Sequence, residues 1–239
     1  MAFSGPTMIE LMNWRIVPRS ERKSTMAEIP SSVLTVAPQF RHENLPNEVG
    51  LLLPTNNGPR ELIDAVVETP DLCRDAMLGL FLADPFLNPA REHLRLSNAG
   101  VQWITNLPST EQQDTEISQQ LSDVGLDHLR ERDMLASLRS RGFKVAAVVT
   151  DVPVAVAMSA IEPDVIIVLP RVVDFAAGFP SLHQRGSMTQ EISQALKKTG
   201  WSGMLLSLGE SSELSHERQW PDAVDGLICR PELAPGSLA

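Results

Sequence analysis

Residues 144–171 read KVAAVVTDVPVAVAMSAIEPDVIIVLPR, and this stretch contains two short apolar runs, at 144–149 and 165–169. Both runs are apolar on successive residues instead of alternating, as expected for parallel strands that are buried on both faces. Each run is followed within two residues by a polar side chain, Asp151 after the first and Arg171 after the second. The stretch therefore predicts an α/β fold built on a parallel sheet.

Apolar runs of the same kind recur along the chain. Most are followed by a cluster of turn residues and then by a helical pattern, which is typical of alternating β and α units. Eight parallel strands can close into a barrel, and such barrels take about 250 residues, close to the 239 of this chain. The sequence therefore predicts a (β/α)8 TIM barrel, with strands at 33–36, 49–53, 77–82, 101–105, 144–149, 165–169, 204–207 and 226–229.

The segments between these strands carry apolar residues at helical spacing, which predicts helices at 59–67, 89–97 and 189–199. The longer segment 114–141 is interrupted by Gly125, so we expect two helices after the fourth strand. Only residues 37–48 separate the first two strands, and Pro38 and Pro46 leave little room there for a helix. The first helix is therefore expected to be reduced or missing.

The two ends of the chain differ from the predicted barrel. Residues 1–30 contain three prolines and a basic patch, and they read as an N-terminal extension that is either a packed arm or a loose tail. Proline and glycine become frequent again after Pro231. We therefore expect a barrel domain over residues 31–233 and a C-terminal tail over 234–239.

Composition excludes several classes of function. The formal net charge of −10 repels nucleic acid and anionic lipid surfaces. The two cysteines, Cys73 and Cys229, are too few for a disulfide framework or a cysteine-based zinc site. No apolar run reaches the length of a membrane span, and the first 30 residues have no signal-peptide core. We expect a cytoplasmic protein with a small-molecule substrate; a homo-oligomer is compatible with the fold, although the sequence specifies no interface.

Polar residues follow the predicted strands. In a TIM barrel the side chains just past the carboxyl ends of the strands converge on one face, where the active sites of this fold lie. Carboxylates, amides and guanidiniums together can bind a small polar anion, with or without a divalent ion such as Mg²⁺. The candidates in strand order are Asn56 and Asn57 after strand two, Asp84 after three, Asn106 after four, Asp151 after five, Arg171 after six, Glu210 after seven and Arg230 after eight.

Structural roles are the alternative for these residues. Asp84 precedes a proline and is a common turn starter, and Asn106 in Asn-Leu-Pro could act in the same way. Glu210 fits either a general base or a plain loop residue. The two arginines could instead form ion pairs with Asp174 and Glu232.

Three other titratable residues fall near the predicted strand ends. His183 and His216 lie in loops after barrel strands, where an imidazole is active near neutral pH, although surface histidines are more common. Cys229 lies inside an apolar strand and is expected to be a buried, inert thiol.

Five short segments follow one another between Met77 and Arg230. They are Gly79–Phe86 (GLFLADPF), Gly100–Gln102 (GVQ), Asn106–Pro108 (NLP), Leu121–Leu126 (LSDVGL), which leads to Glu131 and Asp133, and Val224–Leu227 (VDGL). In order and spacing they match the motifs Thr-Asp-Pro-Phe, Gly-Val-Gln, Asn-Phe-Pro, Leu-Glu-Glu-Thr-Gly-Met and Val-Asp-Gly-Phe. In this region the sequence therefore resembles the phosphoenolpyruvate hydrolase-like TIM-barrel family, also described as the TIM-barrel signal-transduction family.

The resemblance implies a barrel enzyme, a lyase or hydrolase, that acts on a small oxo-acid or enol-type substrate in a specialised biosynthetic pathway. In that scheme Asp84 and Glu131 supply carboxylates for acid–base chemistry or Mg²⁺ ligation, and Asn106 orients the substrate. Arg171 or Arg230 stabilises the negative charge that develops. Glu131 lies in Arg-Glu-Arg-Asp, which could also be a solvated helical face.

The sequence departs from the family where phosphate would bind. The family's glycine-rich turn after the first strand is replaced by Ala37-Pro38-Gln39-Phe40, which has no glycine to let backbone N–H groups approach an anion. Glycine runs after strands four and six are lost as well. A second hypothesis follows, in which the barrel keeps its fold without the chemistry and acts as a binding or protein-interaction module. A third is an enzyme for a bulkier apolar substrate, with Phe40, Trp103, Phe175 and Phe179 at the mouth.

Overall fold

The computed structural model describes residues 9–37, 58–113 and 115–233, which form a closed barrel of eight strands in sequential order. Strand order around a barrel follows the chain order when each strand pairs with the next one along the chain. The strands are β1 (Leu11–Pro18), β2 (Ser32–Val36), β3 (Ala76–Gly79), β4 (Trp103–Thr105), β5 (Lys144–Val149), β6 (Val165–Val168), β7 (Met204–Gly209) and β8 (Gly226–Leu233). The predicted α/β barrel is confirmed.

One strand runs against the others. β1 pairs antiparallel with β2 on one side and with β8 on the other, whereas all the pairs from β2 to β8 are parallel. The prediction of eight parallel strands is wrong in this respect. The predicted boundary at residue 31 differs from the structure for the same reason, because residues 11–18 of the expected extension form a barrel strand.

The sequence of β1 explains its position. Met12, Trp14 and Ile16 alternate with Asn13 and Arg15, which is the period of a strand with one apolar face. The three apolar side chains are buried and belong to a cluster that also contains Val33 of β2 and Ile228 of β8, among others. Burial of this apolar face stabilises the N-terminal segment in the barrel.

The predicted strand 49–53 and the reduced first helix fall in residues 38–57, which lie outside the described residues. In the structure β2 pairs directly with β3, with Ser32 opposite Ala76 and Leu34 opposite Leu78. The ring of eight strands is completed by β1. The predicted tail over 234–239 is likewise outside the described residues.

Six α-helices are described, α1 (Gly58–Glu68), α2 (Pro89–Asn98), α3 (Thr115–Asp123), α4 (His128–Arg139), α5 (Val152–Ser159) and α6 (Leu182–Thr199). The predicted break near Gly125 is confirmed, since α3 and α4 both follow β4 and Gly125 lies between them with a positive φ of 74°. The sequence did not predict α5, which is apolar on nearly every residue and so has no helical periodicity to detect.

The core has two layers. Side chains on one face of the strands fill the barrel interior, and side chains on the other face pack against the helices. In β5, for example, Ala146 and Val148 belong to the inner cluster while Val145, Ala147 and Val149 belong to the outer one. Strands buried on both faces are the reason for the continuous apolar runs in the sequence. Among the described helices, none is long and apolar enough to cross a membrane.

Candidate functional site

Three of the predicted site residues come together at the carboxyl ends of β4, β5 and β6. Asn106 directly follows β4, Asp151 lies two residues beyond β5, and Arg171 lies three residues beyond β6. Parallel neighbouring strands end on the same rim of the barrel, so the loops that follow them meet there. The geometry divides this rim into a buried part around Asn106 and a partly exposed part around Asp151 and Arg171.

Asp151 is the N-terminal cap of α5 and also the partner of Arg171. One carboxylate oxygen, Oδ1, accepts a hydrogen bond of 3.0 Å from the backbone N–H of Val154, as expected for an N-cap aspartate. The other oxygen, Oδ2, accepts from Nη2 of Arg171. The side chains of Asp151 and Arg171 are 33% and 36% exposed, so the pair is open to a ligand. The alternative prediction, an ion pair between Arg171 and Asp174, is wrong. The Asp174 carboxylate accepts from the backbone N–H of Arg171, whereas the guanidinium pairs with Asp151.

Two residues that the sequence analysis did not select complete this part of the site. The Glu111 carboxylate lies 3.0 Å from Nδ1 of His128 through Oε1 and 3.9 Å from Nη2 of Arg171 through Oε2. Glu111 is in the loop after β4, and His128 is the first residue of α4. His128, Glu111, Arg171 and Asp151 thus form a chain of alternating charges, which we call the mouth network.

The hydrogen bond to Glu111 raises the pKa of His128, and partial burial opposes this rise. A raised pKa keeps more of the imidazole protonated near neutral pH than in an exposed histidine. With His128 protonated, the mouth network contains two cations and two carboxylates. A signal for Glu111 was present in the sequence, because it lies in the same post-strand loop as Asn106.

Glu131 lies behind the mouth network and is fully buried. Its Oε2 accepts hydrogen bonds from Asn106 Nδ2 at 2.8 Å and Ser109 Oγ at 2.7 Å, and its Oε1 accepts from the backbone N–H of Thr110 at 2.8 Å. Burial raises the pKa of Glu131 to about 7, against the lowering effect of these three donors. The alternative of a solvated helical face is wrong for Glu131, because α4 turns this side chain toward the loop after β4.

Asn106 anchors this buried carboxyl to the barrel. Its Oδ1 accepts a hydrogen bond of 2.7 Å from the backbone N–H of Val148 in β5, and its Nδ2 donates to Val148 O at 3.3 Å as well as to Glu131. The loop that follows contains a cis peptide bond between Leu107 and Pro108. Asn106 therefore has a structural role that holds this loop against β5, and its side chain has no exposed surface.

Asp84 does not join this arrangement. Its side chain accepts a hydrogen bond of 2.7 Å from the backbone N–H of Phe86, which is the turn-starting role. Its carbonyl oxygen and that of Ala83 accept from the guanidinium of Arg130 on α4. The bonds described for Asp84 thus hold the β3–α2 loop in place.

The remaining predicted site residues are dispersed or lie outside the described positions. Glu210 follows β7, where its backbone N–H donates to Glu213, and Glu213 is bound by the buried guanidinium of Arg185. Arg230 lies within β8 rather than after it, because that strand continues to Leu233. Asn56 and Asn57 lie outside the described residues.

The other expectations have mixed outcomes. Cys229 is buried, as predicted, and His216 contacts Ser215 at 3.0 Å in the β7–β8 loop. Trp103 is not at the mouth, because it begins β4 and lines a cleft at the opposite, amino-terminal end of the barrel. Phe175 and Phe179 form an edge-to-face pair after β6, with ring centroids 6.1 Å apart, and Phe40 is outside the described residues.

A cleft of about 440 Å³ adjoins the mouth network at Asp151. It lies between the start of α5 and one face of α6, and this volume is in the range of small-molecule sites. Polar and apolar side chains share its walls. The lining residues are Thr150, Asp151, Val152, His183, Gln184, Ser187, Met188, Glu191 and Ile192.

The described part of the chain contains no group of three or more His, Cys, Asp or Glu side chains that could hold a metal ion. The carboxylates at the rim are instead engaged with His128, with Arg171 or with backbone N–H groups. Within residues 9–37, 58–113 and 115–233, the carboxylates therefore do not form the Mg²⁺ site that was expected from the sequence.

Comparisons with known proteins support the fold alone. The sequence matches no family model and no curated protein. Among solved structures, the chain is similar to Klebsiella pneumoniae BlrP1 in complex with manganese and cy-diGMP, with 13% identity and a TM-score of 0.51. That match covers 97% of this chain and 58% of BlrP1, so the chain spans just over half the length of that protein.

Two further structures have 13% identity and lower scores. Nitroalkane oxidase from Streptomyces ansochromogenes gives a TM-score of 0.34 over 75% of this chain and 46% of that one. A deletion mutant of NadC gives 0.30 over 92% and 79%. TM-scores this low do not show a shared fold. None of the three is a phosphoenolpyruvate hydrolase-like protein, so the resemblance noted in the sequence is supported at the level of the barrel fold.

Proposed function

We propose that the chain is a diverged barrel enzyme of the phosphoenolpyruvate hydrolase-like type, which acts on a small oxo-acid or enol at the mouth network. The observation that carries the proposal is the position of Arg171. Its guanidinium is about one-third exposed at the carboxyl rim of the barrel, between Asp151 and Glu111. Its partner Asp151 also lines a cleft large enough for a small substrate. An arginine in this setting can hold a substrate carboxylate through two parallel hydrogen bonds.

The other members of the mouth network supply the proton chemistry. Hydrolysis of phosphoenolpyruvate breaks its P–O bond with water and releases inorganic phosphate and the enolate of pyruvate, which then takes up a proton on carbon. Arg171 stabilises the negative charge of the acid during this step. His128, with its raised pKa, is the group of the network that can give a proton near neutral pH, and Glu111 orients its ring.

The experiment is a turnover and binding assay with phosphoenolpyruvate, and with oxalate as a stable mimic of the enolate. We expect the wild-type protein to release pyruvate and phosphate in equal amounts and to bind oxalate in calorimetry. Arg171→Met should lower kcat/KM roughly 100-fold, since it removes a charge-stabilising group. The matched control is Arg74→Met, because Arg74 is 80% exposed and pairs with Asp71 away from the rim. Absence of both turnover and oxalate binding in the wild type would rule out the proposal.

A non-catalytic binding module is the second candidate. It is favoured by the engagement of Asp84 and Glu131 in hydrogen bonds that hold loops, and by the missing glycine-rich turn. The ligands held by BlrP1 give a test, because cy-diGMP can be titrated with and without manganese into the same protein. Binding of the dinucleotide without turnover of phosphoenolpyruvate would support the module over the enzyme.

A further inference from the structure

We infer that Glu131 is a positioning residue, which fixes the Glu111–His128 pair of the mouth network instead of contacting the substrate. This inference deepens the proposed function and rests on it for its consequences in catalysis. The hydrogen bonds themselves can be tested separately from any activity.

Glu131 connects the two elements that carry the pair. Through Oε1 it holds the backbone N–H of Thr110, the residue directly before Glu111. Glu131 also lies three residues after His128 in the first turn of α4, on the same helix face. A single carboxyl group thus links the loop that presents Glu111 to the helix that presents His128.

The position of Glu131 excludes direct contact with a substrate in this structure. The side chain is fully buried, and both of its oxygens accept hydrogen bonds from protein donors. A substrate at the rim would meet Glu111, which is 15% exposed, before it could reach Glu131. An acid or base must come within hydrogen-bond distance of the atom that it protonates or deprotonates, which the buried carboxyl does not.

The support continues from Glu131 into the barrel. Asn106 donates to Glu131 with Nδ2 and is fixed in turn by two hydrogen bonds to the backbone of Val148 in β5. Ser109 adds a second side-chain donor from the same loop. Groups that orient a reactive pair in this way affect it strongly, because a displacement of about 1 Å can cost a large part of the rate.

The test measures the pKa of the His128 ring by NMR in the full chain, with His128→Gln used to assign its signals. The pKa of His128 is raised mainly by its hydrogen bond to Glu111. Glu131→Asp keeps the charge but withdraws the carboxylate by one methylene, so it can no longer reach Thr110 N–H. We expect the pKa of His128 to fall toward its ordinary value in Glu131→Asp and in Glu131→Gln alike. An unchanged pKa in Glu131→Asp would overturn the inference, because only the charge of Glu131 would then matter.

A second measurement needs no variant, in case the substitutions prevent folding. In the wild-type protein, ionisation of Glu131 should change the Thr110 amide shift directly through their hydrogen bond, and the His128 ring shifts indirectly through Glu111. A Thr110 amide shift that stays constant between pH 5 and 9 would contradict the inference.

The activity readout separates this inference from the proposed function. If phosphoenolpyruvate is a substrate, Glu131→Asp should lower kcat about 10-fold and leave KM nearly unchanged, as expected for a misplaced acid–base pair. If the wild type shows no turnover, the proposed function fails while the NMR results still decide the role of Glu131. A fall of KM and kcat together without a change in the pKa of His128 would count against positioning.

Discussion

The two carboxylates that support the rim of this barrel, Glu131 and Asp151, have opposite environments. Glu131 is sealed from solvent and bonded to three donors, two of them side chains, whereas Asp151 is one-third exposed and faces a cleft. Both carboxylates also have a structural role. Glu131 accepts hydrogen bonds from residues 106, 109 and 110 of the loop after β4, and Asp151 caps the N-terminus of α5. One side of the rim is therefore a buried support, and the other side is an accessible surface.

The largest expected effect is a loss of stability when the buried carboxyl group of Glu131 is removed. Glu131→Ala leaves the donors of Asn106, Ser109 and Thr110 buried without their acceptor, and each such group costs about 1–3 kcal/mol. We expect a loss of about 4 kcal/mol in the free energy of unfolding at pH 5, measured by urea titration. Asp151→Ala should lose only about 1 kcal/mol, the usual value of an N-cap, because solvent can replace the rest. Equal losses in the two variants would show that the buried and the exposed carboxylate contribute alike to stability.

The second effect is a dependence of stability on pH that comes from Glu131. Its pKa is about 7 in the folded protein and about 4.5 in the unfolded chain, so the folded state binds the extra proton between these values. This contribution to stability is fully present below pH 4.5 and is lost as the pH rises to 7, by about 3 kcal/mol. Glu131→Gln cannot ionise and should not show this fall.

The measurement for the second effect is the difference between the two unfolding free energies, wild type minus Glu131→Gln, between pH 4 and 8. We expect this difference to decrease over the range and then to level off. Glu116→Gln on the exposed surface of α3 is the matched control and should give a flat difference. His128 has a raised pKa too, so in the wild type its own contribution is present below pH 6.5 and lost above it. Because the pKa of His128 is expected to fall toward its ordinary value in Glu131→Gln, this contribution is smaller there, and the difference levels off only after His128 has titrated in the wild type.

The smallest expected effect concerns Asp84, which the family resemblance assigns to catalysis. Asparagine at this position can still accept the hydrogen bond from the Phe86 N–H, so Asp84→Asn should change stability by less than about 0.5 kcal/mol. Because Asp84 has no described contact with the mouth network, we also expect unchanged turnover of phosphoenolpyruvate. A large loss of kcat with normal stability would show that the loop reaches the substrate and that the accessible surface extends beyond β5 and β6.

The sequence predicts the positions of β2 to β8, because these strands leave apolar runs such as Val165–Val168, although β8 continues four residues beyond its predicted end at 229. It does not predict β1, since prolines and charged residues on either side conceal the alternation of Met12, Trp14 and Ile16. The alternating pattern is short, and the segment forms a strand through its pairing with both β2 and β8. The sequence does not predict helix α5 either, because this helix has no polar face and therefore no alternation of polar and apolar residues at helical spacing.

Site residues that directly follow strands could be predicted from the sequence. Contacts that depend on the direction of a side chain could not. Asp151 and Arg171 are brought together because they follow adjacent parallel strands. The contact of Glu111 with His128 joins a loop to a separate helix, and no spacing along the chain indicates that these two residues meet. The burial of Glu131 could not be predicted either, since its neighbours Arg130 and Arg132 suggest a solvated surface.

The antiparallel first strand also constrains how the molecule folds. Met12 pairs with Leu233, so the two ends of the described chain must meet before the ring can close. Contacts between residues so far apart in sequence form slowly, because the chain entropy of a long loop must be overcome first. The edge of β1 that pairs with β8 would therefore stay unpaired in a nascent chain until β8 emerges, and an unpaired strand edge is a site where chains can aggregate.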